Sequence, residues 1–284
     1  MNKTLIILGS GFDRDLGLRN SCLDFSNSHY CPILGNTLWS TFEETLRNEV
    51  IDWYNKGMVE QRAKSLNMLW SVYTKNISWF FTEKSDEFKL DKDVCAYKFL
   101  KHITRNSRIY TFNYTDPNDY IDFTLTNGII FLHGRHYRDT FKKKLAVMSQ
   151  KNNIILGIDS CIPKDGIDNP HIYPLVKRNH PKYKETNIVS DLLNAENVIF
   201  YGFSMGIVDY GYFEIFFQSI CNNKSNVKNI FYVTLNEEGL NNFYDNLKVA
   251  GIDHNILREK VSLTPIYTVN GANDKQFCNM LNIL

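Results

Sequence analysis

The chain lacks the features of several protein classes. Its six cysteines form no C-x-x-C pair and no spacing typical of zinc ligands, which predicts reduced thiols and no bound metal. The net charge of +1 gives no long-range attraction to nucleic acid. The longest apolar region, 198–217, contains Asp209 and Glu214, which excludes an ordinary membrane span. The first apolar run is too short for a signal peptide. We therefore expect a cytoplasmic protein without a nucleic-acid or membrane partner.

Short β-rich runs that alternate with helical stretches are present instead. The predicted strands are Thr4–Leu8, Arg108–Phe112, Gly128–Leu132, Asn153–Ile158, Asn197–Tyr201 and Asn229–Leu235. Helical periodicity covers 187–196, 209–222, 238–250 and 272–284 between or after them. Strands that alternate with helices favour a mostly parallel, doubly wound sheet. The predicted fold class is therefore α/β and Rossmann-like.

A long helical block separates the first predicted strand from the second. Apolar residues recur at helical spacing over 37–57 and 62–82, and a third helix is predicted over 93–104. Because the first strand precedes this block, we interpret roughly 26–105 as a helical insertion. The expectation is one Rossmann-like domain over 1–284.

Polar residues that follow predicted strands are the candidates for a ligand site, because open α/β sheets bind ligands at the carboxyl ends of their strands. The first strand ends at Gly9-Ser10-Gly11, where glycines allow a phosphate to approach the backbone. Arg14 occupies the third glycine position of the dehydrogenase fingerprint, which disfavours hydride transfer.

Two further strand ends carry residues suited to catalysis. Asn113 lies in the run TFNYT, and His133 lies in FLHGR with Gly134 beside it. Taken singly, such an asparagine is typical of a turn and such a histidine of a structural role. Their shared position on the predicted ligand-facing edge favours a joint role.

The run YGFSMG at 201–206 matches the G-x-S-x-G nucleophile elbow of α/β hydrolases. Ser204 with Asp253 and His254 would even follow the order of that triad. The elbow, however, requires a helix that begins at the serine, whereas Asp209 is the predicted helix N-cap. A serine hydrolase is therefore an alternative prediction.

In order along the chain, the motifs resemble those of sirtuins. GSGFDRDLGL resembles the glycine turn, TFNYT the segment of the catalytic asparagine, and FLHG the catalytic histidine motif. ILGID resembles the strand after the zinc module, and YGFSM the turn that contacts phosphate and ribose. FYVTLN and NGANDKQFCNML resemble the segments near adenosine. The zinc cysteines are absent, and Thr115 stands where sirtuins have aspartate, so the resemblance implies a sirtuin-like NAD site without a zinc module.

A narrower resemblance is to the AbiH abortive-infection family of phage-defence proteins. It rests on the pattern Gly-x-Gly-Phe-Asp at 9–13, Gly17-Leu18, Asp24-Phe25, FNYT, HG, LGID and YG-x-S-x-G-x-x-D. Ser10 replaces the usual asparagine of that family, and RNSC at 19–22 replaces a stretch that contains proline and threonine. The resemblance implies a role in antiviral defence.

Together the resemblances imply an NAD glycohydrolase that uses NAD as its substrate and needs no metal. They assign Asn113 to hold the ribose or an attacking water, and His133 to act as the base. Gly9, Ser10, Gly11, Gly202 and Ser204 would bind the pyrophosphate. The other expected binding residues are Phe12 and Asp13 at the glycine loop, Asp24 near the nicotinamide, and Asn236 and Asn273 near adenosine.

The residues leave two other functions open besides the serine hydrolase. One is a module that senses NAD or a related nucleotide without cleaving it, and the other is transfer of ADP-ribose to a macromolecule. The resemblance also implies a phage-derived trigger or partner subunit, and we expect a homo-oligomer.

Overall fold

A computed structural model describes residues 4–31, 42–136, 154–158, 169–206 and 208–284. The described chain divides into two compact units. The first comprises 1–18, 88–132 and 186–284, and the second comprises 19–87 and 133–185.

The first unit is built on a six-stranded sheet in which every neighbouring pair of strands is parallel. The strands are β1 (Thr4–Leu8), β2 (Ser107–Thr111), β3 (Ile129–Phe131), β4 (Asn197–Tyr201), β5 (Asn229–Thr234) and β6 (Ser262–Tyr267). Their order is β3-β2-β1-β4-β5-β6, which is the doubly wound order of Rossmann folds. The α/β, Rossmann-like prediction is confirmed.

The helices of the first unit cover the two faces of this sheet. They are α1 (Ser10–Asp15), α5 (Cys95–His102), α6 (Ile188–Asn194), α7 (Glu214–Cys221), α8 (Glu237–Val249), α9 (His254–Lys260) and α10 (Lys275–Leu281). Alternate residues of β1 enter different cores: Leu5 and Ile7 belong to one, and Ile6 and Leu8 to the other. Burial on both faces explains why β1 is apolar throughout.

Helix α5 packs against α1 through a half-buried carboxylate. Asp15 accepts hydrogen bonds from the hydroxyl of Tyr201 at 2.5 Å and from the backbone N–H of Ala96 at 2.7 Å. Burial raises the pKa of Asp15, while both hydrogen bonds oppose that rise. Although the sequence grouped 93–104 with the insertion, α5 therefore belongs to the first unit.

The second unit contains α2 (Cys22–Ser26), α3 (Phe42–Asn55) and α4 (Val59–Glu87). Leu46 and Val50 of α3 pack with Ile158, Leu175 and Val176. The expected strand Asn153–Ile158 is wrong over its described part: 154–158 forms one isolated bridge, Ile158 with Val176, and no strand of the sheet.

Candidate functional site

The candidate site lies at the carboxyl edge of the sheet, where the strand order reverses between β1 and β4. Gly9 follows β1 and Gly202 follows β4. At such a point the connections that leave the two neighbouring strands run to opposite faces of the sheet and leave a crevice between them. Rossmann folds bind their ligands in this crevice.

Three glycines bring the two loops of this crevice into backbone contact. A Cβ on Gly9 would lie 2.5 Å from the Gly202 oxygen, and one on Gly11 would lie 2.7 Å from the Gly202 Cα. Gly202 has φ +61°, and a Cβ there would lie 2.1 Å from the nitrogen of Phe12. No other residue type fits these positions without a shift of the backbone.

The N–H groups of these loops donate to carbonyl groups of the protein itself. Gly9 donates to Tyr201 at 2.9 Å, Gly11 to Gly202 at 2.9 Å, and Phe12 to Gly9 at 2.9 Å. Gly202 donates to Val233 at 2.8 Å. The glycines therefore join the two loops and determine the shape of the crevice. The side chain of Ser10, between Gly9 and Gly11, is exposed and remains free to face a ligand.

A buried polar network lies behind the glycine loop. The side-chain amide of Asn113 donates to the Gly9 carbonyl at 2.9 Å and to Oδ1 of Asp13 at 2.8 Å. The hydroxyl of Thr115 donates to Oδ2 of the same Asp13. All three side chains are buried, so Asp13 holds two neighbours of the β2 loop through charge-assisted bonds.

This network determines which way the Asn113 amide faces. The Gly9 carbonyl and the Asp13 carboxylate are acceptors only, so both must face the NH₂ group. The Oδ1 atom of Asn113 therefore faces the opposite way, and within the described residues no hydrogen bond to it is found. An oriented carbonyl oxygen of this kind can accept a hydrogen bond from a hydroxyl group or a water molecule.

His133 begins the 133–185 segment of the second unit, directly after Leu132, whose N–H donates to the Thr111 carbonyl at 3.0 Å. Its side chain is buried. The ammonium nitrogen of Lys177 lies 3.4 Å from its Nδ1 and 3.3 Å from its Nε2. Lys177 is itself only 1% exposed. Sequence reasoning missed Lys177, because a single lysine in a loop is normally solvated.

Asp24 forms a local cap in the second unit. Its Oδ2 accepts from the N–H of Ser21 at 3.0 Å and from the Ser21 hydroxyl at 2.5 Å, and its own N–H donates to that hydroxyl at 3.1 Å. This reciprocal arrangement is a capping box at the start of α2. The contacts seen for Asp24 are therefore those of helix capping.

Ser204 lacks the surroundings of a nucleophile elbow. The first α-helix after it, α7, begins at Glu214, and the described residues contain no hydrogen bond between Ser204 and Asp253 or His254. Asp253 caps α9 through the N–H of Asn255 at 2.8 Å, and the ring of His254 stacks on Tyr244 at 4.4 Å. This geometry disfavours the serine hydrolase.

The remaining predicted binding residues have different environments. Asn236 caps α8 by accepting from the N–H of Gly239 at 3.2 Å. Asn273 is exposed in the loop before α10. Phe12 is fully buried and packs edge-on against Tyr201 at 5.2 Å, so its side chain belongs to the core beneath the loop.

The described residues contain neither a candidate metal centre nor a candidate membrane span. They contain no group of three or more histidine, cysteine, aspartate or glutamate side chains placed to hold a metal ion. In the same part of the chain, no helix combines the length and the apolar character needed to cross a bilayer.

The fold and the crevice define a Rossmann-like α/β protein with a ligand edge at its strand-order reversal. The family model described as "Bacteriophage abortive infection AbiH" matches residues 5–232. The chain therefore belongs to the AbiH family, and its role is in abortive infection by bacteriophage. No curated protein and no solved structure matches it.

Proposed function

We propose that this AbiH protein cleaves NAD between nicotinamide and ribose, and that loss of NAD is how it contributes to abortive infection. The observation that supports this proposal is the orientation of Asn113. Its amide is held by Gly9 and Asp13 at the crevice of a Rossmann-like sheet, so that Oδ1 faces away from both.

The reaction needs little acid catalysis. NAD and water give ADP-ribose, nicotinamide and a proton, and the bond to the cationic nicotinamide breaks as a neutral molecule departs. The remaining ribose carbon has oxocarbenium character, as in other glycosyl transfers. The protein must hold the ribose, place the water and accept the proton of that water.

Asn113 places the water or a ribose hydroxyl in this proposal. Its Oδ1 accepts a hydrogen bond from that group, and Asp13 prevents rotation of the amide. Thr115 holds the second oxygen of Asp13, so that the carboxylate is itself fixed. A preorganised acceptor accelerates the reaction because it need not reorient as charge develops.

His133 acts as the general base, as the resemblance to sirtuins implies. A buried imidazole can accept the proton from a ribose hydroxyl or from the attacking water. Lys177 is a polar neighbour of His133 in the second unit.

The pyrophosphate would contact the side chains of Ser10 and Ser204, both of which are exposed. Gly9, Gly11 and Gly202 would contribute through the shape of the two loops that their mutual contact holds together, because their N–H groups already donate within the protein. We assign Asn236 and Asn273 to the adenosine end, and Asp24 to the nicotinamide end. A phage-derived trigger or partner subunit, a homo-oligomer and a cytoplasmic location complete the proposal.

Incubation of the protein with NAD, followed by chromatography of nicotinamide and ADP-ribose, tests the proposal. The assay includes lysate from phage-infected cells, since a defence enzyme can require a trigger. Equal amounts of both products are expected. Nicotinamide without free ADP-ribose would indicate transfer to a macromolecule, whereas NAD binding without any cleavage would indicate a sensing module and contradict the proposal.

A further inference from the structure

Lys177 and His133 form a buried pair that the established family role does not explain. The ammonium nitrogen lies 3.3–3.4 Å from both ring nitrogens, and both side chains are buried. Ordering a lysine away from solvent is unfavourable unless its charge has a favourable environment. The pair therefore calls for a chemical explanation.

The segment 154–158 holds the backbones of both residues. Ile155 donates its N–H to the His133 carbonyl at 2.8 Å. Ile158 donates to Leu175 at 2.9 Å and accepts from the N–H of Lys177 at 3.1 Å. One short segment therefore determines the separation between the two residues.

Gly157 makes room for the lysine within this segment. It has φ +149°, and a Cβ there would lie 2.4 Å from the Leu175 oxygen and 3.2 Å from Cγ of Lys177. The glycine of the LGID motif thus permits the lysine stem to pass. The glycine of LGID is therefore required by its contact with Leu175 and Lys177, and not by a position in a strand of the sheet.

The distances indicate how the lysine contacts the imidazole. An ammonium group has donors only, and the lone-pair directions of the two ring nitrogens diverge, so one ammonium cannot lie along both. The nearly equal distances of 3.4 Å to Nδ1 and 3.3 Å to Nε2 therefore place the amine against the ring as a whole rather than on one nitrogen, so that the contact limits rotation of the ring.

We propose that Lys177 is a positioning residue for His133, whose ring it holds in one orientation. The effect of Lys177 on catalysis rests on the proposed function, whereas its effect on the His133 ring can be tested without any enzymatic activity. The titratable and charged side chains that flank the pair along the described chain are Arg135, His136, Arg178 and His180.

Nuclear magnetic resonance of the imidazole nitrogens at pH 7 tests the structural content. The seven histidines are distinguished by comparison with a His133→Gln variant. Lys177→Met is expected to change the nitrogen shifts of His133, because the ring loses the side chain that lies against both of its nitrogens. Unchanged His133 shifts in a folded Lys177→Met protein would overturn the inference.

Kinetics of nicotinamide release give the second readout. Lys177→Met should lower kcat by about tenfold to a hundredfold, less than loss of the base itself, with KM for NAD within about twofold. Lys177→Gln, which keeps a donor but loses the charge, should recover part of kcat. Lys184→Met, a change at an exposed lysine of the same unit, is the control and should leave both constants unaltered.

The two outcomes separate the inference from the proposed function. If the wild type releases no nicotinamide but the imidazole spectrum behaves as expected, the pair stands and the assigned reaction fails. If kcat of Lys177→Met equals that of the wild type, the positioning role is wrong whatever the reaction. Where Lys177→Met does not fold, Lys177→Gln replaces it in both measurements, and unchanged nitrogen shifts with a wild-type kcat in that variant would overturn the inference.

Discussion

The side-chain amide of Asn113 donates a hydrogen bond of 2.8 Å to Oδ1 of Asp13, and both side chains are buried. The contact spans the loops that follow β1 and β2, which are separated in sequence by helices α2 to α5. The asparagine that the sequence predicts to contact the ligand is therefore oriented by a carboxylate that the sequence places only at the glycine loop.

Asp13→Asn should impair both stability and NAD cleavage. The new amide cannot accept from Asn113 and Thr115 together, so one buried donor loses its acceptor. We expect the free energy of unfolding to fall by about 2–4 kcal/mol in urea titrations. Thr115→Val removes a single bond to Asp13 and should cause a smaller loss. Equal stability of Asp13→Asn and the wild type would contradict the network.

Gly202→Ala should destabilise the protein far more than an alanine at another glycine of positive φ. Its Cβ would lie 2.1 Å from the Phe12 nitrogen, which adds overpacking to backbone strain. We expect a loss of at least about 3 kcal/mol. Gly251 has φ +79° and nothing within 4 Å of an added Cβ, so Gly251→Ala should lose roughly 1–2 kcal/mol. Similar melting temperatures of the two variants would contradict the close approach of the loops.

Acid should destabilise the fold in part through His136. Burial, followed by the nearby charge of Arg135, lowers the pKa of His136 from 6.5 to about 4. As the pH falls, His136 takes up a proton in the unfolded chain before it does so in the folded protein. The stability that neutral His136 contributes to the fold is therefore fully present above pH 6.5 and is lost as the pH falls toward 4. The full loss is roughly 3 kcal/mol.

Urea titrations at pH 7 and pH 4.5 measure this effect. His136→Leu should show a smaller stability difference between the two pH values than the wild type. His102→Gln, a change at an exposed histidine, should show the wild-type difference. An identical pH dependence in all three proteins would exclude His136 as the cause.

A fluorophosphonate probe should fail to label Ser204. No helix begins at this serine, and within the described residues neither Asp253 nor His254 is hydrogen-bonded to it. Mass spectrometry after labelling measures the outcome, with Ser204→Ala as the control. Labelling that disappears in Ser204→Ala would restore the hydrolase alternative.

Much of the sheet could be predicted because parallel strands are buried on both faces and are therefore continuous apolar runs. Predicted strands at Thr4–Leu8 and Asn197–Tyr201 are those observed, and β5 ends one residue earlier than expected. β6 was missed because Pro265 interrupts its pattern, and an edge strand tolerates proline. The run at 153–158 was apolar enough for a strand, but its described part bonds to His133 and Leu175 instead.

The candidate site was predictable only where a residue follows a strand. Asn113 and the glycines follow that rule, so the sequence could place them at one edge. The Asp13–Thr115 contact and the burial of Lys177 depend on how distant loops fold together, and no short motif reports them. Helix capping by Asn236 and Asp24 could have been recognised, since Ser21 and Asp24 have the spacing of a capping box.

The kinetic constants and NAD affinity of Asn113→Ala test the central claim most directly. They are measured by nicotinamide release and calorimetry, beside the wild type and the exposed-site control Asn255→Ala, with infected-cell lysate present in the kinetic assay. An acceptor that acts on the transition state predicts a fall in kcat of about a hundredfold or more, with the Kd for NAD within a few-fold of the wild type. Cleavage by folded Asn113→Ala at the wild-type rate, or no cleavage of NAD by the triggered wild type, would contradict the account.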